Sequence, residues 1–206
     1  VAADHRVELA LAGPLGELFN QGQKLIKILA GYHQYFAVRK AIEKAKIATK
    51  TDGKGGVFWH TQGSGKSYSM AFFAEKVRRV VPGNFTFLVM TDREDLDDQI
   101  RRTFIGCGVA DDQAPRAASG KELKELLAGN HRFIFSLIHK FNQPVRAPYS
   151  ERDDIIVLSD EAHRTQAGKF ARNMRLALPN AAFIGFTGTP LFKHDELTRR
   201  IFGDYV

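Results

Sequence analysis

The chain has 206 residues, 44% of them hydrophobic and 26% charged, a composition that suits a globular domain with its own core and excludes a disordered or low-complexity chain. A single cysteine, Cys107, excludes an internal disulfide and a cysteine-built zinc site, and no apolar run reaches the roughly 18 residues of a membrane span, so no membrane partner is expected. The net charge of +7 favours an anionic partner such as DNA, although no long run of like charges forms a basic tail.

Residues 1–31 read as an amphipathic helical segment, with Leu15, Leu18, Phe19, Leu25, Ile26 and Leu29 at mixed spacings of three and four and a break at Gly13-Pro14. A second helix is expected from Tyr32 to about Thr49, followed by a polar, glycine-rich loop over Lys50–Gly56. A rhythm then begins. Short apolar runs at Gly56–His60, Thr86–Met90, Phe133–Ile138, Ile155–Ser159 and Ala182–Phe186 read as strands buried on both faces. Between most of them lie helical patterns at Lys66–Val80, Arg93–Phe104, Ser119–Ala128 and Lys169–Ala177. This alternation predicts an α/β fold, a mostly parallel sheet flanked by helices, with ligands bound at the carboxyl ends of the strands. Gln143–Arg152, with Pro144 and Pro148, is expected to be an exposed loop. Cys107 has no basic cluster around it and reads as an inert thiol.

The segment His60-Thr61-Gln62-Gly63-Ser64-Gly65-Lys66-Ser67 sits between the first of these strands and the helix after it, the layout of a phosphate-binding loop. Backbone N–H groups of such a turn converge on an anion, and the helix N-terminus adds a partial positive charge. Lys66 is then expected to reach the β- and γ-phosphates and Ser67 to ligate magnesium, so that a nucleoside triphosphate is the expected ligand. The strict pattern begins with glycine, where this chain has His60; an ordinary tight turn before a helix is the competing reading.

Ile155–Asp160 is an apolar run that ends in Asp160-Glu161. Phosphoryl transfer needs an acid to hold Mg²⁺ and a group to orient the attacking water, and adjacent carboxylates at a strand end can divide these roles, Asp160 towards the metal and Glu161 towards the water. A solvated acidic pair at a helix start is the alternative. His163 could bond a neighbouring strand exit, and Thr187 and Thr189 in Gly185–Pro190 could bond His163 or sense phosphate, or satisfy backbone groups in a turn. Thr91 and Arg93 end another strand and could contact a sugar-phosphate backbone; Arg93 could equally pair with Asp92 or Asp97.

Together these segments resemble the first RecA-like motor domain of superfamily-two helicases and translocases. His60–Ser67 looks like motif I, Thr91–Arg93 like motif Ia, Asp160–His163 like motif II and Gly185–Pro190 like motif III. With Tyr32–Val38, Ser159–Gln166 and Phe202–Tyr205, the wording is similar to the restriction (motor) subunit of type I restriction–modification enzymes. The resemblance implies an ATP-dependent double-stranded DNA translocase module using ATP and Mg²⁺, with modification and specificity subunits as partners and a prokaryotic cytoplasmic location. It implies that Gln34 belongs to an adenine-reading motif, with a helix-surface residue as the alternative, and that Gln62, Gly63, Ser64, Gly65, Lys66, Ser67 and Thr187 surround the nucleotide. It also implies that 1–31 is a linker from an upstream nuclease domain, that 32–206 is the first motor domain, and that a second motor domain would follow. Gly31 and His139 depart from the family pattern, where a basic residue and a glutamine are expected. Other readings of the same residues are a different superfamily-two helicase or repair remodeller, a P-loop kinase of small molecules, and a non-catalytic DNA-binding module.

Overall fold

The computed structural model describes residues 19–21, 24–26, 29–48, 50–61, 63–160, 167–189 and 196–206. Two short strands come first, β1 (Phe19–Gln21) and β2 (Lys24–Ile26), paired antiparallel with Phe19 opposite Ile26. The helical expectation for 1–31 is therefore wrong over these residues. Asn20-Gln21-Gly22-Gln23 is a polar stretch with a glycine, and a Gly-X pair between two runs is a hairpin signal that outweighs the loose apolar spacing.

The expected rhythm follows: α1 (Tyr32–Ala48), β3 (Lys54–Trp59), α2 (Lys66–Val80), β4 (Thr86–Thr91), α3 (Glu94–Gly106), α4 (Gly120–Ala128), β5 (Phe133–Leu137), a 3₁₀ turn (Ile138–Phe141), β6 (Ile155–Asp160), α5 (Ala167–Ala177), β7 (Ala182–Thr187) and α6 (Glu196–Phe202). The five later strands form one parallel sheet in the order β3-β7-β6-β4-β5. Both outer edges are covered by short extensions. Asp204–Val206 runs beside β3, where Val57 and Tyr205 form a parallel bridge, and Arg116 bridges Phe135 on the other edge.

Alternate residues of each strand enter two separate cores. Phe58, Phe87, Val89, Phe135, Leu158, Ile184 and Phe186 pack beneath α1, α2 and α3. Val57, Leu88, Met90, Ile134, Val157 and Phe183 pack against α4, α5 and α6. Burial of both faces explains why the strands read as continuous apolar runs. The opposite end of the sheet from the motifs is held by Arg152, whose guanidinium donates to Asp154 at 2.7 and 3.0 Å, to the Gly129 carbonyl at 2.7 Å and to the Thr86 hydroxyl at 2.9 Å. The loop 143–152 is mostly exposed, as expected, with Tyr149 folded back to stack on Phe141.

Candidate nucleotide site and DNA-facing edge

β3 runs into the loop that precedes α2. Gly63 and Gly65 have φ of 82° and 81°, values that L side chains rarely adopt, so the two glycines let the chain wrap back on itself. Gly65 caps α2 without a side-chain bond, and the first-turn amides of a helix have no partner within it. The loop is closed by Ser64, whose N–H and hydroxyl both donate to the Thr61 carbonyl, at 3.1 and 2.6 Å. His60, in the place of the usual first glycine, is 5% exposed, and its N–H donates to the Thr187 carbonyl, so the β3–β7 ladder continues into the loop. Its Nδ1 lies 3.4 Å from the Ser64 hydroxyl and its ring 5.6 Å from that of His33. Burial above all, then the charges of His33 and Lys66, lower the His60 pKa to about 4. The imidazole is therefore neutral at pH 7.

The P-loop strand and the acidic strand are not neighbours, because β7 lies between β3 and β6. Trp59 pairs with Thr187 and Phe186 with Asp160, so the ends of β3 and β6 stand about 10 Å apart, two strand spacings. The Lys66 side chain crosses this gap. Its ammonium lies 2.9 Å from Asp160 Oδ1, with the two side chains 17% and 4% exposed. Ser67 is half-buried beside Lys66 in the first turn of α2. Lys66 and Asp160 are thus brought together, and Ser67 follows Lys66 in the first turn of α2. Gln62, Glu161 and His163 lie outside the described residues.

The group expected with a triphosphate is Mg²⁺, and the residues present fit it. No cluster of three or more acidic, histidine or cysteine side chains exists among the described residues to hold a metal alone. Magnesium, however, takes one or two carboxylates and fills its shell with water and phosphate oxygens. Asp160 already sits against a cation, the Lys66 ammonium, which occupies the kind of position that a metal bound to this carboxylate would take.

Gln34 is buried, not a helix-surface residue. Its Nε2 donates to the Gly65 carbonyl at 3.0 Å and the Ser69 hydroxyl at 3.2 Å, and its Oε1 accepts from the Gly31 N–H at 2.8 Å. The amide is brought to the P-loop, with its polar ends engaged by the protein. Thr187 is fully buried; its hydroxyl donates to the Thr189 carbonyl and accepts from the Thr189 N–H, both at 3.1 Å, which is the turn-satisfying role.

On the neighbouring exit, Thr91 is 1% exposed and its hydroxyl is directed inward, 3.3 Å from the Arg93 carbonyl and 3.5 Å from Asp97 Oδ1. A direct backbone contact by Thr91 is thus not what this geometry offers; the residue shapes the turn that presents Arg93. Arg93 itself is exposed, 3.9 Å from both Asp92 and Asp95. Asp97 instead is fully buried and pairs with Arg116 at 2.6 Å. Burial pushes its carboxyl above the usual range, and Arg116 offsets that in part. Nothing in the local sequence around Arg116 signals this pair, which joins α3 to the strip beside β5.

A family model described as SWI2/SNF2 ATPase matches residues 33–206. The chain belongs to the SWI2/SNF2 ATPase family. It is 44% identical, over 89% of its length, to the type I restriction enzyme HindI endonuclease subunit of Haemophilus influenzae, and it spans 19% of that relative. Among solved structures, the UvsW helicase from bacteriophage T4 superposes with a TM-score of 0.67 at 16% identity, covering all of this chain and 67% of the other. The type ISP restriction–modification enzyme LlaBIII, bound to DNA, gives 0.55 at 16% identity, covering 91% of this chain and 15% of the other. The fold of this SWI2/SNF2 ATPase is accordingly the RecA-like domain of helicases, as the motifs imply. No described helix is long and apolar enough to cross a membrane.

Proposed function

We propose that this SWI2/SNF2 domain is the first motor domain of an ATP-dependent double-stranded DNA translocase within a type I restriction endonuclease. The observation that carries the reading is the 2.9 Å approach of Lys66 to Asp160, an ion pair between the start of α2 and the end of the acidic strand. The similarity to the HindI subunit supplies the restriction context. Amides of Gly63–Ser67 receive the phosphates, Lys66 turns from Asp160 to the β- and γ-phosphates, and Ser67 with Asp160 holds Mg²⁺. Bound magnesium neutralises charge on the transferred phosphoryl group. Glu161 orients the water and His163 links the pocket to the adjacent strand exit. Gln34 reads adenine by exchanging its bonds to Gly65 and Ser69 for the base. Arg93 contacts the DNA backbone at the exit of β4, with modification and specificity subunits completing the complex. Residues upstream supply the nuclease domain and residues downstream the second motor half.

The test is hydrolysis of ATP and displacement of a DNA triplex by the full-length protein carrying Lys66→Ala or Asp160→Asn. Each substitution is expected to lower DNA-dependent hydrolysis by at least about a hundredfold, the usual scale for a preorganised electrostatic group, and to stop displacement while thermal unfolding shows a folded protein. A folded Lys66→Ala protein with normal hydrolysis would refute the assignment.

A further inference from the structure

Arg93 caps α3, and the first turn of that helix carries Glu94, Asp95 and Asp97. Asp97 is the member turned inward. Its N–H donates to the Arg93 carbonyl at 3.0 Å, and its Oδ1 lies 3.5 Å from the Thr91 hydroxyl, which stands 3.3 Å from the same carbonyl. The backbone of Arg93 is thus tied to Asp97 both directly and through Thr91. A carboxylate whose side chain is 0% exposed keeps such a place only against a counter-charge. Arg116 supplies it. Its Nε stands 2.6 Å from Asp97 Oδ2, and its Nη1 donates to Asp98 Oδ1 at 3.1 Å. One planar guanidinium thereby grips two successive residues of α3, as a compact ammonium would not.

Arg116 is itself anchored. The residues on either side of it are bonded to β5: the Phe135 N–H donates to the Pro115 carbonyl at 2.9 Å, and the Ala117 N–H to the Phe135 carbonyl at 3.0 Å. The Ala118 carbonyl accepts from Lys140 Nζ at 2.6 Å, so the strip is also held to the 3₁₀ turn after β5. β5 pairs with β4, with Leu137 opposite Thr91, and the circuit closes on the strand that leads into Arg93. We infer that Arg116 is a positioning residue for DNA binding: through Asp97 it fixes the turn from which Arg93 reaches the sugar-phosphate backbone. Without that anchor the start of α3 is free to shift, and Asp92 and Asp95, each 3.9 Å from the Arg93 guanidinium, compete with phosphate for it. This inference rests on the proposed reading of Arg93 as a DNA contact.

The experiment uses the full-length protein carrying Asp97→Asn together with Arg116→Gln, which removes the buried ion pair without changing the net charge or leaving a buried carboxylate alone. Affinity for a linear duplex is measured by fluorescence anisotropy over a range of salt concentrations, with and without Arg93→Ala, and thermal unfolding checks that each protein is folded. With Arg93 in place, the pair replacement should weaken duplex binding by about tenfold and lower the slope of log affinity against log salt by about one, the signature of one lost phosphate contact. Added to R93A, it should cost less than about twofold more, because a residue that acts through another has no separate effect once that other is gone. If D97N/R116Q does not fold, Arg116→Lys, which keeps the charge and loses the fork between Asp97 and Asp98, is read in the same way. A folded variant with undiminished duplex affinity, or a loss of equal size with and without Arg93, overturns the inference. An R93A protein that binds duplex with unchanged affinity and salt slope would instead overturn the parent reading, and this inference with it.

Discussion

Acidification should loosen the P-loop through His60. An unperturbed histidine titrates near 6.5, whereas burial, His33 and Lys66 hold His60 to about 4. The unfolded chain therefore binds a proton that the folded protein refuses, and stability falls as pH drops from 6.5 towards 4. The full gap corresponds to about 3 kcal/mol at about 1.4 kcal/mol per pH unit, and about 2 kcal/mol of it is lost by pH 5. The burial of the ring, 5% exposed, keeps solvent from screening this effect away. The perturbation is His60→Gln, which retains a polar group near Ser64 and cannot titrate. The assay is urea unfolding of both proteins at pH 7 and pH 5. Carboxylates such as Glu75 titrate in both proteins alike, so the difference between the two drops isolates His60. The wild type should lose about 2 kcal/mol more than H60Q on going to pH 5. Equal losses would show that His60 does not carry the linkage.

Three further outcomes follow from the same geometry. Gly65→Ala places a non-glycine residue at φ 81° with its Cβ 2.9 Å from Gln34 Nε2, and should cost about 1–2 kcal/mol of stability and at least about tenfold in ATP affinity, read by calorimetry. Arg152→Ala removes the clasp on Asp154, Gly129 and Thr86 at the far end of the sheet, and should cost about 2 kcal/mol in urea unfolding while leaving ATP affinity unchanged. Burial pushes the Cys107 thiol up to about 12, so about one part in ten thousand is thiolate at pH 8 and iodoacetamide should label it only in denaturant.

The sheet strands were legible because each is buried on both faces and so appears as an unbroken apolar run between helical patterns. The limits of α2, predicted at Lys66–Val80, coincide with those observed, since glycines set its start and a long apolar face its length. The order of the strands was not legible, because it depends on pairings between residues far apart in the chain. For the same reason the position of β7 between β3 and β6 could not be read from motif spacing. At the N-terminus, apolar residues at loose helical spacing concealed a hairpin whose signal was the polar Asn20–Gln23 stretch. In the site, the glycines and Lys66 announce themselves by spacing. Thr91 does not announce its inward rotamer, because a hydroxyl at a strand exit serves a turn and a phosphate equally well. Arg116 carries no local signal at all, and its carboxylate partners lie on another element, α3.

The contact between Lys66 and Asp160 also constrains how a ligand enters. A carboxylate that is 4% exposed at the end of an apolar strand is costly without a counter-charge, and the ammonium supplies it at 2.9 Å. A triphosphate arriving alone would compete for Lys66 and leave Asp160 buried beside more negative charge. A divalent cation arriving alone would be set against the ammonium. On the proposed reading, magnesium and triphosphate delivered together would exchange one compensated arrangement for another, with Asp160 available to hold the metal and Lys66 the phosphates. On the proposed reading, the ion pair would favour the magnesium complex over free nucleotide by charge balance.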